Sequence, residues 1–179
     1  PPLNELVKIT NHVSHNLYAD ALLKTIGLAY RPAPDENISS FGRGIRVLRA
    51  YWKEKGLDTS SLCMYDGSGL AVTDKLTTGF LGELFRYMSR QSPEADSFMR
   101  SLPLAGQEGS VANFLKGSSL QGKARLKSGS MSRVKAYAGY IGKGGKTYVV
   151  AICVNNYALE GRPMNKAIEN LLLTLFQPL

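Results

Sequence analysis

The sequence lacks the long apolar stretches and repetitive segments that define several classes of protein. Its longest apolar run, from Tyr148 to Val154, falls well short of the roughly 20 residues that a membrane-spanning helix needs. It contains no low-complexity tract and no internal repeat. It has neither an initiator methionine nor a secretory signal, and we expect either a processing boundary or a cloning boundary at Pro1-Pro2. We therefore expect no transmembrane segment in this chain.

Cysteine and histidine are also scarce, with two of each. Cys63 and Cys153 lie in apolar, strand-like runs and are expected to be buried free thiols, although a disulfide in an oxidising compartment stays an open alternative. His12 and His15 show no paired spacing of zinc ligands, and we expect both to be exposed to solvent. We therefore expect neither a metal site nor another cofactor.

What the chain does have is the composition of a folded globular domain. Hydrophobic residues make up 44% of its 179 residues and charged residues 20%, which suits about one domain of ordinary size. The net charge is 22 − 14 = +8, but the lysines and arginines are scattered and form no nucleic-acid-binding motif. We therefore expect no nucleic-acid partner.

Hydrophobic spacing predicts helices in the first part of the chain and strands in the last part. The expected helices are Leu3 to Val13 leading into Ser14, Leu17 to Gly27, one capped by Ser39 or Ser40 and ending at Gly56, one after Thr77 or Thr78, and a closing helix from Pro163. The expected strands are a short one from Leu62 to Tyr65 and three antiparallel ones, at Lys123 to Ser128, Val134 to Ile141 and Tyr148 to Val154.

The connecting segments carry further expectations. Arg31 to Asp35 should form a loop, and Ser89 to Gly109 should be irregular because prolines interrupt it. Gly142 to Gly145 should form a hairpin turn. The unbroken apolar run of the last strand predicts cover on both faces of the sheet. The closing helix should supply that cover through a stripe formed by Met164, Ala167, Ile168, Leu171, Leu172 and Leu175.

Two tripeptides that are far apart in the chain carry residue types suited to acyl transfer. Ser14-His15-Asn16 matches a Ser-x-Asn pattern, and Lys127-Ser128-Gly129 matches a Lys-Thr/Ser-Gly pattern. They resemble two of the three parts of the active site that penicillin-binding proteins and serine β-lactamases share. The third part is a Ser-x-x-Lys sequence, whose serine attacks the substrate carbonyl and whose lysine takes the proton.

Flanking segments narrow the resemblance to one family. The similar segments, in chain order, are Ser14 to Lys24, Tyr65 to Leu70, Leu102 to Gly106, Lys127 to Met131, and Val154 to Asn156. They resemble the low-molecular-mass class C penicillin-binding proteins, the S13 D-Ala-D-Ala carboxypeptidases. The resemblance implies an α+β, DD-peptidase fold in one catalytic domain, with a helical lobe over about residues 1–118 and the sheet and closing helix over about 119–179.

The same resemblance implies catalytic roles for Ser14, Asn16 and Lys127. The Ser14 hydroxyl would relay a proton to the leaving nitrogen, and the Asn16 amide would contact the substrate backbone. Lys127 would supply positive charge for the terminal carboxylate of the substrate. The two motifs would then face each other across one groove, beside a rim shaped by the glycine turn that begins at Asp66.

The residues that follow Lys127 would bind substrate. Ser128, which stands where threonine is more usual, keeps the hydroxyl that contacts the carboxylate. Gly129 lets the acyl chain lie close to the strand because it has no Cβ. The backbone N–H of Ser130 would form half of an oxyanion hole. A second departure from the family is Ala71, where serine is frequent, and it puts a hydrogen bond of that serine in doubt.

The chain has no Ser-x-x-Lys in the place where the family carries it, before Ser-x-Asn. The one match, Ser132-Arg133-Val134-Lys135, lies between two strand-like runs, whereas the chemistry needs serine and lysine one helical turn apart. We interpret this match as a coincidence in a turn. The chain is therefore expected to be the C-terminal part of a larger enzyme and to be inactive alone.

The resemblance implies a parent protein that is a serine-type D-Ala-D-Ala carboxypeptidase, and perhaps also an endopeptidase. Its substrates would be peptidoglycan stem peptides in the periplasm or extracytoplasmic envelope, and it would bind β-lactams. Its positive charge would favour anionic wall polymer or lipid headgroups. A non-catalytic peptidoglycan-binding or scaffold module stays an alternative. A β-lactam hydrolase is less favoured because no glutamate stands out as a deacylating base.

Overall fold

The computed structural model describes residues 1–30, 37–158 and 161–177, so the predicted loop at 31–35 lies outside the described residues. Its helices are α1 Leu3–Val13, α2 Asn16–Ala29, α3 Ser40–Glu54, α4 Thr78–Arg90, α5 Ala95–Ser101 and α6 Gly161–Leu175. Its strands are β1 Ala124–Met131, β2 Val134–Lys143 and β3 Lys146–Asn155. The predicted α+β class is confirmed.

The chain forms two compact units. The first contains residues 1–14 and 85–179, and the second contains residues 15–84. Residues 85–118 therefore pack with the sheet. The assignment of all 179 residues to one catalytic domain with two lobes stays a prediction.

The junction between α1 and α2 follows from the residues at Ser14 and His15. Ser14 adopts a left-handed conformation, with φ 55° and ψ 54°, and its N–H donates to Thr10 O to end α1. His15 then caps α2, because its Nδ1 accepts a hydrogen bond from Tyr18 N–H at 3.4 Å. The predicted helix junction is confirmed, but His15 is half-buried rather than solvent-exposed.

In the second unit, α2 and α3 pack closely through glycine. A Cβ on Gly27 would lie 1.9 Å from Ser40 O, and one on Gly44 would lie 2.3 Å from Leu23 O. The α3 cap was predicted correctly, since Ser39 Oγ accepts from Gly42 N–H at 3.1 Å.

The glycine turn after Met64 is also held within the second unit. Asp20 Oδ1 accepts hydrogen bonds from Gly67 N–H and Ser68 N–H at 2.9 and 3.0 Å. Asp66 Oδ2 accepts from Ala71 N–H at 2.8 Å. The strand predicted just before this turn is wrong, because only an isolated bridge between Cys63 and Lys75 forms there.

The sheet of the first unit is an antiparallel meander in the order β1-β2-β3, as predicted. On one face, Phe114 stacks on Tyr137 with ring centroids 4.0 Å apart. The same core contains three α6 side chains, Met164, Ile168 and Leu172. Tyr140 on β2 donates its hydroxyl to Phe85 O at 2.8 Å. Successive strand residues face opposite sides, so β2 is covered on both faces.

Several expectations about the first unit are wrong in detail. The apolar run of β3 is only half-buried, because β3 is an edge strand and the central strand β2 takes the most buried place. The segment from Ser89 to Gly109 is not irregular throughout, since α5 fits between its two prolines. The helix predicted from Pro163 begins at Gly161, and its Ala167, Leu171 and Leu175 are exposed.

The cysteines are free thiols, but they are less buried than expected. Cys63 is exposed and Cys153 is half-buried. Burial raises the pKa of the Cys153 thiol. Among the described helices, none is long and apolar enough to cross a membrane.

Candidate active site

Among the described residues, a neighbouring segment covers the outer edge of β1 along its first half and leaves its second half open. Residues 103–105 run beside it, so that Leu126 N–H donates to Pro103 O at 3.0 Å and Ala105 N–H donates to Ala124 O at 2.8 Å. Backbone groups alternate in direction along a strand. The N–H groups of Ser128 and Ser130 therefore point to the same outer side, beyond the covered half.

At this open half, the structure brings together Ser14 and Lys127. Lys127 Nζ donates to Ser14 Oγ at 2.7 Å, across 113 positions of sequence. Lys127 Nζ also donates to the backbone oxygen of Ser128. The end of α1 and the edge of the sheet thus meet at one amine, which is the juxtaposition that the two motifs predict.

Burial changes the chemistry of this amine. It lowers the pKa of Lys127 to about 8, because a half-buried ammonium is less well hydrated than a free one. The charged form binds anions, and a neutral fraction near pH 8 accepts a proton. Ser14 Oγ is the nearest partner for that exchange, and Ser14 itself is exposed.

Ser128 has a partner that the sequence did not reveal. Its Oγ lies 2.8 Å from Ser110 Oγ, on the 3₁₀ turn Gly109–Val111. Ser110 matches no motif of the site, and only the packing of the turn beside β1 brings it there. The sequence offers no signal that would have singled it out.

Gly129 and Ser130 lie exposed at the end of β1. A Cβ on Gly129 would meet only the Cβ of Ala136 at 3.6 Å, an ordinary contact. The fold itself therefore does not require a glycine at this position.

The remaining predictions concern Asn16, the Ser-x-x-Lys match that begins at Ser132, and the Asp66 turn. Asn16 begins α2 in the second unit, and its convergence with Lys127 stays a prediction. Ser132 lies in the β1–β2 turn and Lys135 lies on β2, which confirms that this Ser-x-x-Lys is not on a helix. The role of the Asp66 turn as a groove rim also stays a prediction.

His12 was expected to be exposed, and this is wrong. Its Nε2 is buried, and no described group forms a hydrogen bond with it. Burial is the main cause that lowers the pKa of His12, against the raising effect of Glu108. Across the described ranges, no group of three histidine, cysteine or acidic residues is placed to hold a metal ion.

Comparison with known proteins places the chain in a family. The model of the D-Ala-D-Ala carboxypeptidase 3 (S13) family matches residues 1–175, and the chain belongs to this family. It is similar to a D-alanyl-D-alanine carboxypeptidase of an Actinomadura species, with 29% identity over 144 residues that cover 78% of this chain and 26% of that protein. It is also similar to carboxypeptidase DacB of Mycolicibacterium smegmatis, with 28% identity over 178 residues that cover 96% of this chain and 37% of that protein.

Solved structures share the fold. Penicillin binding protein 4 from Haemophilus influenzae, crystallised with a β-lactam, matches with a TM-score of 0.87 and 22% identity over 99% of this chain and 42% of that chain. A predatory endopeptidase from Bdellovibrio bacteriovorus matches with a TM-score of 0.76 and 21% identity over 98% of this chain and 43% of that chain. The family and the fold predicted from the sequence are confirmed. The chain spans less than half the length of each of these four proteins.

Proposed function

We propose that this chain is part of a serine-type D-alanyl-D-alanine carboxypeptidase or endopeptidase that acts on peptidoglycan stem peptides through an acyl-enzyme. The observation that carries the proposal is the 2.7 Å contact between Lys127 Nζ and Ser14 Oγ. It joins two motifs of the family at one point, although neither motif is informative alone.

Lys127 and Ser128 bind the terminal carboxylate of the substrate in this proposal. Below its pKa of about 8, Lys127 is mostly cationic, and a charge-assisted hydrogen bond to a carboxylate is stronger than one between neutral groups. The Ser128 hydroxyl adds a second donor. The half-burial of Lys127 strengthens the attraction because less water screens it.

Ser14 is the proton relay. During acylation the leaving amine of the substrate must receive a proton as its bond to the carbonyl carbon breaks. The Ser14 hydroxyl gives its proton to that nitrogen and is reprotonated by the ammonium of Lys127, its hydrogen-bond donor. Asn16 orients the substrate by its side-chain amide.

The open edge of β1 receives the reacting carbonyl. Ser130 N–H points to the outer side of the strand, where it donates to the developing oxyanion. Gly129 keeps the approach clear for the acyl chain, since the fold does not otherwise need a glycine there. The nucleophile is a Ser-x-x-Lys serine outside these 179 residues, so the isolated chain forms no acyl-enzyme.

The proposed place of action is the extracytoplasmic envelope, where peptidoglycan is accessible. The proposed partners are stem peptides that end in D-Ala-D-Ala, and β-lactams, one of which is bound in the structure of penicillin binding protein 4 from Haemophilus influenzae. No cofactor takes part in this mechanism.

Labelling of the full-length protein with a fluorescent penicillin tests the proposal. We expect the wild type to be acylated and Ser14→Ala to be acylated about 10²-fold more slowly, because proton transfer is lost. Ser132→Ala, a turn serine outside the site, is the matched control and should label as the wild type does.

Two outcomes would contradict the proposal. A full-length protein that has no Ser-x-x-Lys upstream of Pro1 and takes up no label is a binding or scaffold module. Loss of labelling in Ser132→Ala, with Ser14→Ala unaffected, would mean that the wrong serine has been assigned.

A further inference from the structure

Ser110 is not part of either motif, yet its hydroxyl is hydrogen-bonded to one of them. Ser110 Oγ lies 2.8 Å from Ser128 Oγ, and either oxygen is able to donate. Ser128 is the only hydroxyl within the Lys-Ser-Gly motif. A partner for that hydroxyl bears directly on how a substrate carboxylate is recognised.

The position of Ser110 is fixed by its neighbours on both sides. Gly109 has a φ of +51°, and a Cβ on it would lie 2.3 Å from His12 O, so the turn lies against the end of α1. Val111, on the other side, has no exposed surface. The turn also contains an internal hydrogen bond, in which Ala112 N–H donates to Gly109 O at 3.2 Å. Ser110 is therefore an exposed residue on a rigid support.

An ion pair and two hydrogen bonds hold the loop before Ser110 against β1. Glu108 Oε2 accepts from Leu104 N–H at 2.9 Å and lies 3.8 Å from Arg125 Nη1. Arg125 Nη1 also donates to Leu102 O at 3.0 Å. These contacts hold the loop along the strand that carries Ser128, so the two hydroxyls keep their separation.

A serine hydroxyl has one proton to donate and accepts through its lone pairs. If Ser128 gives its proton to Ser110, it has none for a carboxylate. If Ser110 donates instead, Ser128 receives a hydrogen bond and its own proton is directed to the ligand. A bound carboxylate, which only accepts, selects the second arrangement.

We propose that Ser110 is a positioning residue that orients the Ser128 hydroxyl for the terminal carboxylate of the substrate. The order of donation is Ser110 O–H to Ser128 Oγ, and Ser128 O–H to the carboxylate. Ser110 acts through Ser128 and does not touch the reacting carbonyl. This inference rests on the proposed function of the Lys-Ser-Gly strand.

The test compares two peptides with the full-length protein, one ending in a D-alanine carboxylate and one ending in the corresponding amide. Ser110→Ala should raise KM for the carboxylate peptide about 3- to 10-fold with little change in kcat, because one hydrogen bond that serves binding is lost. It should leave the amide peptide unaffected. Ser110→Thr keeps the hydroxyl and should restore the wild-type KM. The double variant Ser110→Ala, Ser128→Ala should be no worse than Ser128→Ala alone.

The outcomes separate this inference from the function on which it rests. If the wild type turns over neither peptide and takes up no labelled penicillin, the proposed function fails. If the wild type is active but Ser110→Ala matches it, or loses activity equally on both peptides, only the positioning role is overturned. Ser132→Ala serves as the control for a serine outside the site.

Discussion

The three-stranded sheet has lysines at the β2–β3 turn at one end and Lys127 on β1 beside the open half that leads to the other end, and the two regions differ in how their residues come together. At the β2–β3 turn, Lys123, Lys143 and Lys146 line an open cavity of about 740 Å³. Two of these lysines flank the Gly144-Gly145 turn, and Lys143 Nζ donates to Gln177 O at 2.5 Å. This end is built mainly from one hairpin and the nearby end of α6.

The other end brings together distant parts of the chain. Lys127 is half-buried, its Nζ contacts a serine that precedes it by 113 positions, and its neighbour Ser128 contacts Ser110. A hairpin brings exposed lysines together merely by its register. Convergence of distant, hydrogen-bonded side chains on a partly buried amine is a stronger sign of a site than the volume of a cavity.

The strongest test of this comparison removes a lysine at each end. Lys127→Ala in the full-length protein should slow acylation by labelled penicillin about 10²-fold or more, because the carboxylate anchor and the donor to Ser14 are both lost. Lys146→Ala, which removes an exposed lysine at the cavity, should label at the wild-type rate. If Lys146→Ala lowered the rate of acylation more than Lys127→Ala does, the chemistry would lie at the cavity instead.

A second test compares a glycine at each end by urea unfolding. Gly109 and Gly144 have similar left-handed conformations, with φ +51° and +56°, so alanine is strained at both. A Cβ on Gly109 meets His12 O at 2.3 Å, whereas one on Gly144 meets nothing within 4 Å. We expect Gly109→Ala to lower the free energy of unfolding by about 2–4 kcal/mol and Gly144→Ala by about 1 kcal/mol. Equal losses would mean that contact with α1 does not hold the turn.

The sequence predicted the parts of the site that have local signatures. Ser14 lies at the helix junction and Lys127 on the strand, because hydrophobic periods and capping residues specify such elements within a few neighbours. The family resemblance predicts that the two motifs face each other. Ser110 could not be predicted in this way, since its place depends on how a short turn packs beside a distant strand.

The errors in the predicted fold also arise where long-range packing, rather than local sequence, decides the structure. Pro93 and Pro103 suggested an irregular segment, but a proline prevents helix only near itself, and α5 occupies the seven residues Ala95–Ser101 between them. The apolar run of β3 predicts cover on both faces of the sheet, yet β3 is only half-buried, because it lies at an edge and its position is set by pairing with other strands. The burial of His12 is not predicted because burial of a single polar side chain has no local sequence pattern.

The smallest effect that we expect is a dependence of kcat/KM on pH, and it is the effect most specific to the amine of Lys127. Since burial lowers its pKa to about 8, Lys127 loses its positive charge as the pH rises through that value. We expect kcat/KM for a carboxylate-terminated peptide to fall up to about tenfold between pH 7 and pH 9, relative to the amide-terminated peptide measured in parallel.

The amide peptide removes the contribution of groups that titrate in the same range but do not contact the carboxylate.

The stability of the folded protein should change with pH in the opposite direction. In the unfolded chain the lysine keeps its ordinary pKa of 10.5, so between about pH 8 and 10.5 the unfolded state binds more protons and the free energy of unfolding gains a contribution that rises with pH. That contribution should be absent in Lys127→Ala. If the ratio of kcat/KM for the carboxylate peptide to kcat/KM for the amide peptide stays constant from pH 7 to 9, the charge of Lys127 does not serve carboxylate recognition.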